Sequence, residues 1–181
     1  RDLTEDMRPF MKHWKELDIR FDAVYSGFLG SFEQLDIVKE FFSLFKREDN
    51  LILVDPVMGD NGELYKIFTP KFAKGMRSLC ERADIIVPNL TEAAIILSEP
   101  IGDEWAGTDI SDEEAHRLVD ALVAKGAKHV VLKGIQREGE SCIRNFVGGL
   151  GMETVEVHNE YLPYMLHGTG DLYASCLMAA V

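Results

Sequence analysis

Apolar residues in the first part of the chain recur at helical spacing. Met7, Phe10, Met11, Trp14 and Leu17 predict an amphipathic helix over residues 4–17. A short apolar run at 23–25 ends at Ser26-Gly27, and a second helix is expected from Ser31 to about Lys46. Leu51–Val54 reads as a buried strand bounded by Asp55-Pro56, followed by a Gly/Asn/Asp-rich loop to Tyr65. The pattern then predicts a helix over 70–81, a strand over 85–87 ended by Pro88-Asn89, and a short helix over 91–97. A helix over 111–125 carries Ser111 with Glu114 three residues on, and Gly126 closes it. Strands follow at 129–132, 141–147 and 153–157, the last two separated by Gly-Gly-Leu-Gly. A closing helix opens at Gly168-Thr169-Gly170.

Helix and continuously apolar strand alternate four times, the pattern of right-handed crossovers on a mostly parallel sheet flanked by helices. Strands 141–147 and 153–157 add an antiparallel hairpin at one edge. No repeat or low-complexity linker interrupts the chain, so one α/β domain is expected over 1–181. The stripe Met7/Phe10/Met11/Trp14 reads as core. In such sheets, ligands gather at the carboxyl ends of the strands. Ser26-Gly27, Asp55, Asn89 and Lys133-Gly134 each follow a strand, and that coincidence weighs more than any one motif.

Charge narrows the partners. Nineteen basic against 31 acidic residues give a net charge of −12, which argues against nucleic acid or an anionic membrane as a general partner. An anionic nucleotide would need local management by backbone amides, a lysine and a metal ion. Cys80, Cys142 and Cys176 are widely spaced, with no metal-ligand pattern, and fit a reducing, cytoplasmic setting. No apolar run reaches the length of a membrane span, and no signal peptide precedes the first helix. The chain begins without Met and stops mid-helix at Met178-Ala-Ala-Val181, so it reads as incomplete at both ends.

The densest chemistry lies in His167-Gly168-Thr169-Gly170-Asp171. Glycines at a helix start let backbone N–H groups crowd round an oxyanion, and the helix dipole favours negative charge there. Asp171 in the first turn suits a base that takes a proton from an attacking hydroxyl. His167, with no second histidine near it, reads as a loop residue. In Asp55-Pro-Val-Met-Gly-Asp60-Asn-Gly62, two carboxylates at a strand exit suit Mg²⁺, although Asp-Pro and Asn-Gly are also turn formers. Asn89 and Glu92 suit a nucleotide's metal and equally a helix capping box. Lys133 suits a phosphate or a solvated surface. Phe28 and Tyr65 suit a heteroaromatic ring or a core rim.

With GTGD, DPVMGD and Pro88-Asn89-xx-Glu92-Ala93 in this order, the chain resembles the ribokinase-like superfamily, and within it the pyridoxal/pyridoxamine kinases. Tyr25-Ser-Gly-Phe-Leu-Gly-Ser31 and Gly62-Glu-Leu-Tyr65 add to the likeness, which covers essentially the whole chain. The resemblance implies ATP-dependent phosphorylation of the 5′-hydroxymethyl of pyridoxal, pyridoxine or pyridoxamine. Asp171 would be the base, and the amides of Gly168, Thr169 and Gly170 the anion hole. Asp55 and Glu92, with Asn89, would hold Mg²⁺, while Asp60 and Tyr65 lie against the phosphates beside Lys133. Phe28 and Ser26 would meet the substrate. A monovalent cation is an optional further cofactor, and a homodimer the expected assembly. Lys133-Gly134 is instead similar to the hydroxymethylpyrimidine kinases of thiamine synthesis, which stand as the alternative. A non-catalytic ligand-binding relative is the alternative of another class.

Overall fold

The computed structural model describes residues 2–99, 110–162, 164 and 168–181. His167 lies outside them. A six-stranded sheet organises the chain: β1 (Ala23–Ser26), β2 (Leu51–Val54), β5 (Ile85–Ile86), β6 (His129–Ile135), β7 (Cys142–Gly149) and β8 (Met152–Glu160), in that spatial order. The first four run parallel, with Ala23 opposite Leu51 and Leu53 opposite Ile85. The last three are antiparallel, giving the expected edge hairpin.

Residue alternation along the strands divides the core between two faces. Ile52, Val54, Ile86, Val130 and Leu132 pack into one large cluster. It includes residues of α2 (Phe32–Phe45), α3 (Pro70–Cys80), α4 (Leu90–Leu97) and α5 (Asp112–Ala124). Leu53, Ile85, Val87 and Val131 point the other way, onto Ala174 of α6 (Thr169–Ala180). The helix starts follow local chemistry. Ser31, Thr69 and Ser111 each accept a backbone N–H from three residues ahead, satisfying an otherwise orphaned donor.

The apolar stripe of α1 (Thr4–Glu16) does pack on α2 through Met11, Ile37 and Phe45, but Phe10 remains half-exposed. Two departures from the sequence pattern bear on the site. The 55–65 loop contains its own hairpin, β3 (Gly59–Asp60) against β4 (Glu63–Leu64), turned by Asn61 and Gly62 at positive φ. Gly59 must be bare, because a Cβ there would sit 2.4 Å from the Glu63 carbonyl. β6 does not end at Leu132 but continues to Ile135 through an irregularity that holds Lys133 and Gly134. Such bulges re-aim a side chain out of the ladder.

Candidate active site

The site begins with the amino end of α4. Asn89 caps the helix by accepting the Glu92 N–H, and the Glu92 carboxylate accepts the Asn89 N–H in return, each at 2.8 Å. The capping box is therefore real. The same residues also clamp the 55–65 segment. Glu92 accepts the Met58 N–H at 3.2 Å, Asn89 donates to the Gly59 carbonyl at 2.9 Å, and the Thr91 hydroxyl accepts the Gly62 N–H at 2.9 Å. Three such bonds, at about 1 kcal/mol each, hold the hairpin in one place over the strand ends.

Asp55 leaves the end of β2 almost fully buried, and its Oδ1 accepts from Lys133 Nζ at 2.7 Å. Burial pushes the Asp55 carboxyl up, Lys133 opposes that, and the Asp171 charge adds to it. Glu92 lies deeper and is pushed up to about 8, first by burial and then by Asp55, against the pull of Lys133. The beginning of α6 abuts this pair. A methyl on Gly170 would stand 3.6 Å from Asp55 Oδ2 and 3.9 Å from Lys133 Nζ.

Gly168, at φ 81°, is the N-cap of α6, and Asp171 is in its first turn, where the helix dipole favours a carboxylate. Tyr25 of β1 donates its hydroxyl to Asp171 Oδ1 at 3.1 Å. The carboxylates, Lys133 and the start of α6, though not Tyr25, line one cleft of about 570 Å³ at the carboxyl ends of the parallel strands. Asp55, Asp60, Tyr65, Asn89, Glu92, Lys133, Gly168, Thr169, Gly170 and Asp171 all face it. Among the described residues no group of three or more His, Cys, Asp or Glu is arranged as a metal cage. Mg²⁺ needs only one or two carboxylates plus phosphate. Two buried carboxylates, both raised chiefly by burial, have the donor chemistry to take it.

The mostly parallel sheet with its edge hairpin agrees with what the chain is similar to. Residues 14–181 match the phosphomethylpyrimidine kinase family. The chain belongs to that family. Among solved structures, a protein of Bacteroides thetaiotaomicron described as a phosphomethylpyrimidine kinase, crystallised with pyridoxal, is 37% identical with a TM-score of 0.89. That match covers 99% of this chain and 62% of the other. Pyridoxal kinase PdxY of Histophilus somni (strain 2336) is 30% identical over 174 residues, 87% of this chain and 54% of the relative. The hydroxymethylpyrimidine/phosphomethylpyrimidine kinase of Bacillus subtilis is 27% identical, covering 90% of this chain and 56% of the relative. The chain thus spans about half the length of these curated relatives, within a ribokinase-like α/β fold.

Two expected site residues of this family member stand apart from the cleft. Ser26 is buried and lines not the cleft but an apolar groove of about 300 Å³, which Tyr25, Trp14 and Phe41 also line. Its hydroxyl finds no hydrogen-bond partner there. Phe28 does not line the cleft. Its half-exposed ring lies 5.7 Å from Phe68, which in turn lies 6.4 Å from Tyr65, so Phe28 belongs to an outer aromatic rim.

Other residues come to the cleft unannounced by the sequence pattern. Asn145 of β7 accepts the Gly134 N–H at 3.1 Å and steadies the bulge that aims Lys133. Asn145, Asn159 and Tyr173 line the cleft as well. Thr91, lost within a capping motif, proves to be the anchor of the hairpin turn. Cys80, Cys142 and Cys176 are all free. Among the described residues no helix is long and apolar enough to cross a membrane.

Proposed function

We propose that this chain carries the catalytic corner of an ATP-dependent kinase that phosphorylates the hydroxymethyl group of pyridoxal, pyridoxine or pyridoxamine. The observation that carries the reading is the convergence of Asp171, the Gly168–Gly170 amides and the Asp55–Lys133 pair on one cleft. The pyridoxal in crystals of the 37%-identical Bacteroides protein and the likeness to PdxY favour the vitamer as acceptor.

In this reading Asp171 accepts the hydroxyl proton as the alcohol oxygen attacks the γ-phosphorus and the bond from that phosphorus to the β,γ-bridging oxygen breaks, releasing ADP. The N–H groups of Gly168, Thr169 and Gly170 face the charge that grows on the transferring oxygens. Lys133 turns from Asp55 toward phosphate, while Asp60 and Tyr65 border the polyphosphate and Asn89 keeps the loop in register. Mg²⁺ would be held by Asp55 and Glu92 and would neutralise phosphate charge. Phe28 offers its ring face at the rim, and Ser26, expected to meet the substrate, lines the groove outside the cleft. A monovalent cation, a homodimer and a reducing, cytoplasmic setting complete the proposal. Half-exposed Val155 and Val157 on β8 suit contact with a second copy.

A second reading, hydroxymethylpyrimidine kinase, draws on the Bacillus subtilis relative and on Lys133-Gly134. ADP formation by the protein from its full reading frame, with pyridoxal and with hydroxymethylpyrimidine, decides between them. Turnover dependent on pyridoxal supports the first, and turnover with the pyrimidine alone replaces it. If neither alcohol stimulates ADP release, the kinase reading falls and a non-catalytic relative takes its place.

A further inference from the structure

Tyr25 and Asp171 stand 146 residues apart in sequence and meet through one hydrogen bond, phenol oxygen to Oδ1, at 3.1 Å. β1 brings this about. Tyr25 borders the α1 groove along with its neighbours in β1, and it also packs beside Leu53, Val87 and Ala174 under α6. The corner is kept narrow on its other side by Gly27. A Cβ there would lie 3.0 Å from the Tyr25 hydroxyl and 3.7 Å from Asp171 Oδ1, so bare backbone leaves the phenol just enough room.

We propose that Tyr25 is a positioning residue: it fixes the rotation of the Asp171 carboxylate so that Oδ1 is occupied and Oδ2 faces the acceptor alcohol. The inference rests on Asp171 being the base. An aspartate carboxylate turns readily about its last bond, and a base swinging between orientations spends only part of its time aligned with the proton it must take. A phenol donor removes that freedom. Burial first, then the charges of Asp55 and Asp171 and the bond itself, push the phenol pKa up. Tyr25 therefore remains a protonated donor throughout the working range and does not compete with Asp171 for the substrate proton. A tie between β1 and α6 that served stability alone would need no hydroxyl, since Ala174, Tyr173 and Leu177 already join helix and sheet.

The experiment uses the protein from its full reading frame with ATP, Mg²⁺ and the alcohol that supports turnover. Tyr25→Phe should lower kcat about tenfold and leave the KM of both substrates within about twofold. In an Asp171→Asn background the same change should alter the residual rate by less than about twofold, because no carboxylate base remains to orient. Gly27→Ala retains the phenol but pushes on it, and should lower kcat in the same direction if Tyr25→Phe folds poorly. An unchanged kcat in Tyr25→Phe overturns the inference. Equal losses with and without Asp171, or a rise in KM alone, overturn it too. If the parent protein shows no alcohol-dependent turnover, the kinase reading fails. If Asp171→Asn leaves turnover intact, the base assignment fails. A silent Tyr25→Phe in an enzyme that needs Asp171 removes this inference alone.

Discussion

Lys133→Met isolates the ion pair at the centre of the cleft. The side chains of Asp55 and Lys133 are 2% and 17% exposed, so solvent screens their 2.7 Å contact little. Methionine retains most of the lysine stem and removes the charge, leaving Asp55 buried without a cation. Breaking a buried pair from one side costs about 3–5 kcal/mol. Protonation of Asp55 sets a ceiling on that cost. Neutralising a carboxyl of ordinary value 3.8 at pH 7 takes about 1.36 kcal/mol per pH unit, or about 4 kcal/mol in all. The wild-type pair already bears part of the burial cost, so the expected loss is about 3 kcal/mol at pH 7. In the variant, the folded chain holds a proton on Asp55 that the unfolded chain releases above its ordinary value. Stability therefore falls as pH rises through that window, and at pH 5 the deficit shrinks to about 1 kcal/mol. Glu92, pushed up to about 8, remains mostly protonated at both pH values and adds little to the difference. Urea unfolding of both proteins at pH 5 and pH 7 measures it. Adding Asp55→Asn should recover most of the loss, since removing both partners together leaves no stranded charge. A deficit equal at the two pH values, or one that Asp55→Asn deepens, would refute the electrostatic account.

Three further outcomes follow from the same geometry. Asp171→Asn should lower kcat by about 10²–10⁴ while ATP affinity, measured by calorimetry, changes only a few-fold; a loss confined to affinity contradicts the base assignment. Gly59→Ala places a methyl against the Glu63 carbonyl and should destabilise the protein by about 2 kcal/mol, read as a drop in Tm of roughly 4–8 °C. An unchanged Tm would mean that the β3–β4 hairpin is not closely packed. Wild-type Glu92 holds a proton when folded that it loses when unfolded between its ordinary 4.5 and about 8. Stability should therefore decline with rising pH across that window more steeply than in Glu92→Gln, whose pH-independent cost is one backbone amide left facing an amide nitrogen. Parallel pH slopes in the two proteins would be the contrary result.

The mostly parallel sheet with its edge hairpin and the helix starts were legible because local pattern carries both. Four apolar runs between amphipathic helices leave a parallel sheet as the economical packing, and Ser31, Ser111 and Asn89 stand where orphan N–H groups need acceptors. The β3–β4 hairpin was hidden because its strands are two residues long, too short for any alternation to register. The Lys133 bulge escaped for a related reason. Pattern alone reads Lys-Gly as a strand end, and only the antiparallel partner β7 carries the strand onward to Ile135. Site residues at strand ends were readable from topology, but their directions were not. Ser26 and Tyr25 are neighbours in β1 and both border the α1 groove, yet only Tyr25 packs under α6 and reaches Asp171. Contacts such as Tyr25–Asp171 and Asp55–Lys133 join residues 146 and 78 positions apart, beyond the reach of any local signal.

The clamp at the amino end of α4 has a consequence for what substitution can teach. Asn89, Thr91 and Glu92 each serve the helix or the hairpin before any ligand arrives, so the cleft floor is preorganised by the folding of the chain itself. A ligand entering it meets groups already aimed and owes little ordering entropy for that part of the site. Conversely, no change at these three positions is purely chemical. Each side chain removed for its charge or hydroxyl also unfastens the hairpin, and binding and local order are lost as one quantity.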